Sequence, residues 1–145
     1  MKAFTKSLQE NIQLIQEDVN DKITDVTISL FRKVVNKSPS WFIFNSEYSE
    51  GWLINQWYPS VKSASKAIDS AKSDYGRDSL ERIDQLKDTN FFLKKDNSIY
   101  LSNNVPYGQY AEVLGWQPSD NPRWRGHAPY AMMELSLIEK KAELG

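Results

Sequence analysis

Cysteine is absent from the chain, which excludes disulfides, thiol nucleophiles and thiolate metal ligands, so stability has to come from packing. The single histidine, His127, has no HxxxH, HExxH or helically spaced carboxylate pair to complete a metal or catalytic centre. No GxSxG elbow and no GxGxxG or GxxxxGK[ST] phosphate loop occurs. The reading is a protein without enzymatic activity, cofactor or metal, in which His127 makes loop hydrogen bonds. An excess of one charge is lacking too. Lys and Arg number 18 against 19 Asp and Glu, a formal charge of −1, which does not suit a protein that must blanket a nucleic-acid backbone. The first residues show no apolar signal-peptide core, and no stretch offers the roughly 20 apolar residues that span a bilayer. The expectation is synthesis in the cytoplasm with no membrane partner.

What the chain does have is aromatics, with five Trp, seven Tyr and six Phe on a polar background of mean hydropathy −0.60. Small cores and protein interfaces both use that mixture. Its length suits one domain with one core. Phe4, Leu8, Ile12, Ile15, Val19, Ile23, Val26, Leu30 and Val34 follow spacings of 4, 4, 3, 4, 4, 3, 4 and 4. This eleven-residue repeat, about 3.67 residues per turn, predicts a nearly straight apolar stripe on a helix over 4–36, roughly 45 Å long. Such a helix outreaches a domain of this size, so one end projects or lies on a neighbouring subunit.

Ser38-Pro39 stops the helix, and the aromatic segment Trp41 to Phe44 follows. Trp52 to Tyr58 read as a strand closed by Pro59. Residues 60–77 have little apolar area and read either as a marginal helix or as a mobile insertion. Asp78 or Ser79, with Glu81, predicts a capped short helix through Leu86. Phe91 to Lys95 and Ser98 to Ser102, flanking Asp96-Asn97, read as a hairpin. The fold class is therefore α+β: a long N-terminal helix on a small, mainly antiparallel sheet drawn from 52–102, with a second short helix at 106–114. That helix opens at Pro106 and is closed by Gly115, with Asn104 as its cap. After Pro129 the period fits both strand and helix; the reading is an extended start turning helical toward Lys140.

The loop 116–129 is long for a compact domain, which makes it a functional candidate. It carries Trp116, Arg123, Trp124 and Arg125 and leads into Tyr130. The Arg-Trp-Arg run could stack bases and contact phosphates, act as a protein hot spot, because Trp and Arg dominate such sites, or simply pack the loop. A net charge of −1 favours protein.

Several motifs, in order along nearly the whole chain, resemble a tail-component family of tailed bacteriophages, related to the HK97 gene-10 product and to minor tail protein Z of lambdoid phages. They are a long helix ending in Ser38-Pro39, then Gly51, Leu53 and Trp57 as G-x-L-x-x-x-W. Asn103, Asn104, Pro106, Tyr107 and Glu112 follow, and Ala128, Pro129, Tyr130, Ala131 and Met132 close the series. Twelve residues, including Trp41 and Phe42, stand between Pro39 and Trp52 where the family has a direct passage, which implies an altered loop at a subunit contact. The resemblance implies a structural virion protein, assembled in the host cytoplasm, that joins or completes the tail at the head-tail interface. Its implied partners are copies of itself in a ring, connector or neck proteins, and tail tube or terminator proteins, with a weak contact to channel DNA. The alternative is a small nucleic-acid-binding module using Arg123, Trp124 and Arg125.

Overall fold

The computed structural model describes residues 2–39, 41–44, 47–61, 63–70, 72, 74–88, 98–106, 108, 110–114 and 130–145. The expected hairpin arm Phe91 to Lys95 and the loop 116–129 fall outside the described residues. The architecture is α+β, with a long N-terminal helix, small antiparallel two-stranded sheets and additional short helices. Helix α1 spans Lys2–Lys37, a residue or two beyond the expected ends. The Ser38 N–H closes it by donating to the Val35 carbonyl at 3.0 Å.

The buried face of α1 is not the expected stripe. Asn20, Thr24, Ile28, Phe31 and Val35 are buried, with Val34, a face rotated by about one residue from the regular apolar series. Polar residues at the first two of these positions hide that face from a reading of hydrophobic period alone.

Strands β1 (Trp41–Phe44) and β2 (Glu47–Glu50) pair antiparallel, Trp41 opposite Glu50 and Phe44 opposite Glu47. The residues that separate Pro39 from Trp52 thus form a hairpin, which the sequence had not revealed. The expected strand over Trp52 to Tyr58 is corrected. Leu53–Asn55 form a 3-10 turn, and strand β3 begins at Trp57 and runs through Pro59 to Val61. Its partner is β4 (Ile99–Asn103), with Trp57 opposite Asn103 and Val61 opposite Ile99. Among the described residues β3 pairs only with β4, and Pro is tolerated on such an edge strand.

Helix α2, Arg77–Asp84, carries no side-chain cap of its own, so the expected Asp78 or Ser79 cap is also corrected. The Asn55 Oδ1 accepts the Asp78 N–H at 3.1 Å instead. Ser79 is fully buried; its hydroxyl donates to the Ile54 carbonyl at 2.7 Å and accepts the Trp57 N–H at 3.1 Å.

Over the expected helix 106–114, Pro106 lies in a turn, Gly108 is α-helical and Tyr110–Leu114 form one π-helical turn. The C-terminal segment is helical from its start rather than extended: α3 covers Met132–Leu144. The alternation of Met133, Leu135 and Leu137 misled because all three are exposed, while the buried positions are Met132 and Ser136, one turn apart. Ala131 precedes α3 in the left-handed region, φ 46°. The first-turn N–H groups of α3 are met from outside by the Glu112 carboxylate, which accepts from Met133 at 2.9 Å and from Glu134 at 3.3 Å. That gives α3 the anionic N-terminus its dipole favours.

The core gathers Ile28, Phe31, Val34 and Val35 of α1 with Leu53, Ile54, Trp57, Ile83, Leu86, Val105, Ala111 and Met132. All the α1 contributions come from its C-terminal third.

Candidate assembly surface

Because the core engages only the end of α1, the earlier stripe is left uncovered. Leu8, Ile12, Ile15, Val19 and Ile23 are between 40% and 63% exposed. Steps of three and four continue from Ile23 to Val26, Leu30, Lys33 and Lys37, so these residues share one face of α1.

That same face holds α3. Lys37 bonds Glu139 at 2.7 Å, and Lys33 bonds Glu143 at 2.7 Å and Glu139 at 3.6 Å. The Lys140 ammonium donates to the Ser29 hydroxyl at 2.9 Å. Residue numbers rise along α3 as they fall along α1, so the helices are antiparallel. Hydrogen bonding from Lys37 holds the Glu139 carboxyl below its usual value, and bonds from Lys33 and Lys140 do the same for Glu143. The Lys33 ammonium is raised in turn, chiefly by its bond to Glu143. The exposed stripe is therefore the continuation of the track on which α3 lies, beyond the end of α3. Helix α3 also turns Leu135, Leu137, Ile138 and Leu144 outward.

Of the residues singled out in the sequence, Ser38 and Trp57 come together at the core, where Trp57 is 3% exposed and its indole bonds the Ser38 hydroxyl; Gly51 takes φ 72°, a conformation that favours glycine. Pro39, two residues past the end of α1, is half-buried. The Asn104 Nδ2 donates to the carbonyls of Ser65 and Ala67 at 2.8 and 2.9 Å. The turn toward Pro106 is made by Asn103, whose Oδ1 accepts the Val105 N–H at 3.2 Å. Tyr130 is half-buried against the core, and its N–H donates to the Ala111 carbonyl at 2.7 Å. Trp41 and Phe42 are placed by backbone only, in β1. Trp116, Arg123, Trp124, Arg125, Tyr107, Pro129 and His127 lie outside the described residues.

Comparison with family models, curated proteins and solved structures finds no match. The chain's chemistry has to be read from its own side chains. Among the described residues no group of three or more His, Asp or Glu side chains could hold a metal ion, and no helix is long and apolar enough to cross a membrane.

One polar cluster had escaped the sequence reading. Asp69 accepts from the Gln56 amide at 2.6 Å and from the Arg82 guanidinium at 3.2 Å, and its backbone N–H donates to Gln56 at 2.9 Å. Its carbonyl accepts the Trp52 indole N–H at 2.7 Å. Arg82 also donates to the Asn55 carbonyl at 2.8 Å and stacks 3.9 Å over the Tyr58 ring. Burial, then the Asp69 carboxylate, raises the Tyr58 hydroxyl above its usual value. The groups are mutually satisfied, which makes this a clasp holding 63–70 to the 3-10 turn and α2. The available signal was two polar residues, Asn55 and Gln56, inside an otherwise apolar Trp52 to Trp57.

Proposed function

We propose that this chain is a non-catalytic assembly subunit, a structural protein of a tailed bacteriophage that joins or completes the tail at the head-tail interface. The observation that carries the assembly reading is the run Leu8, Ile12, Ile15, Val19 and Ile23, exposed on a helix that projects past its own core. Most of a helix's stability in a protein comes from packing of its apolar face, and contiguous exposed apolar surface of this kind serves protein contact. The phage assignment rests on the ordered motifs from Ser38-Pro39 to Met132. The hydrogen bond from the Trp57 indole to Ser38 ties the first two of those motifs to each other and supports the assignment.

The test is mass spectrometry of purified tailed particles from the source that encodes the chain. The protein is expected as a stoichiometric component, and deletion of its gene should yield unjoined heads and tails. Its absence from intact particles would overturn the reading. Fluorescence anisotropy with single-stranded and duplex DNA at physiological salt should show no binding; tight, salt-sensitive binding would favour a nucleic-acid module.

A further inference from the structure

We infer that the exposed stripe of α1 is covered in the free protein by the same stripe of a second copy, lying antiparallel about a two-fold axis between Gln13 and Leu14. The inference rests on the assembly reading and names the occupant of its surface. The spacing of Phe4, Leu8, Ile12, Ile15, Val19 and Ile23 is 4, 4, 3, 4, 4, which reads the same from either end. Turned end for end, the stripe meets itself with Ile12 opposite Ile15, Leu8 opposite Val19 and Phe4 opposite Ile23. A two-fold contact requires such self-complementarity.

Three further observations favour this occupant. The track is already used for an antiparallel helix where α3 binds it through Lys33 and Lys37, so a second antiparallel helix following α3 extends an existing arrangement. One margin of the stripe carries uncharged Gln9, Gln13 and Gln16. On the other margin Asp18 and Lys22 neutralise each other at 3.1 Å, so pairing sets no like charges together. The five described stripe residues are each 40% to 63% exposed, so pairing two stripes removes apolar surface from water on both copies at once. The two-fold closes at two copies. Contacts within a ring then use other surfaces, such as the outward Leu137 and Ile138 of α3.

The cysteine-free chain gives a direct test by single-cysteine cross-linking of the full protein. Leu8→Cys and Val19→Cys proteins, oxidised together, should give the mixed disulfide as the main dimer, and each oxidised alone should give little. Same-variant disulfides would mean parallel pairing and overturn the inference. So would a monomeric mass for the unmodified protein at about 100 μM by sedimentation. The change Ile15→Asp lies far from the core and should convert dimer to monomer with an unchanged near-ultraviolet circular dichroism spectrum. A dimer that survives it also overturns the inference. A monomeric protein still present in purified particles would sink only the pairing, whereas a cross-linked antiparallel dimer absent from particles would sink only the phage assignment.

Discussion

The indole N–H of Trp57 donates to the hydroxyl of Ser38 at 2.8 Å across 19 residues of chain, and that hydroxyl donates onward to the Val34 carbonyl at 3.0 Å. A residue at the end of α1 thereby fixes the first residue of β3, and both are buried. Replacing Ser38 by Ala leaves a buried indole N–H without its acceptor, an expected loss of about 1–3 kcal/mol. Urea unfolding should show it as a lower midpoint with an unchanged slope. Ser38→Ala combined with Trp57→Phe should lose less than the sum of the two single changes, because the pair shares one interaction.

Gly76 stands at φ 74°, and a Cβ there would lie 2.7 Å from Ile54 Cγ1 and 2.9 Å from Val35 Cγ1. Gly76→Ala combines left-handed strain with overpacking between α1 and the 3-10 turn, together about 2–4 kcal/mol. Thermal unfolding measures this directly. A melting temperature within a degree of the parent would refute the close approach.

Residues 60–77 were read either as a marginal helix or as a mobile insertion for want of apolar area. The described residues 63–70 are not helical, and Asn104 bonds them from one side and the Asp69 cluster from the other. Asn104→Ala should raise amide exchange across 63–68 while leaving β3 and β4 protected. Unchanged exchange would mean that the Asp69 cluster suffices alone.

The contact of α3 with α1 should depend on pH at both extremes. Glu139 and Glu143 have carboxyls lowered from 4.5 in the folded protein; their stabilisation is complete above that value and is lost as pH falls through the folded values. Lys33 is raised from 10.5, so its contribution is complete below that value and is lost as pH rises through the folded one. Helix content of α3, followed by amide exchange, should be flat between about pH 5 and 10 and fall outside that window. Lys33→Met should remove the alkaline limb. These groups lie near the surface, and high salt should blunt both limbs.

Legibility followed the range of the interactions. The length of α1 was readable because nine apolar residues keep one spacing over 30 residues, a local signal. Its core-facing side was not, because Asn20 and Thr24 occupy buried positions that a search for apolar period passes over. The 3-10 turn at Leu53–Asn55 was unreadable for a different reason: the partners that justify Asn55 and Gln56 are Asp69, Asp78 and Arg82, 13 to 27 residues away. Helix α3 hid behind Ser136, a small residue at the centre of its buried face that carries no apolar signature. Of the candidate surface, the stripe was visible in the sequence and is exposed in the fold, while the tryptophan and arginine loop falls outside the described residues.

Helix α1 is buried on one face as far back as Asn20 and exposed from Thr5 to Val19, so its free part is a lever whose fulcrum lies near Asn20. From Asn20 to Leu8 the helix runs about 18 Å at 1.5 Å per residue. A tilt of about 10° at the fulcrum, within the small angles by which packed helices shift, would carry Leu8 through about 3 Å. In reverse, a displacement imposed on the far end reaches Trp57 through Ser38 as a small rotation of the last turn of α1. Strain imposed on the exposed end would then reach the Ser38 to Trp57 hydrogen bond through the last turn of α1.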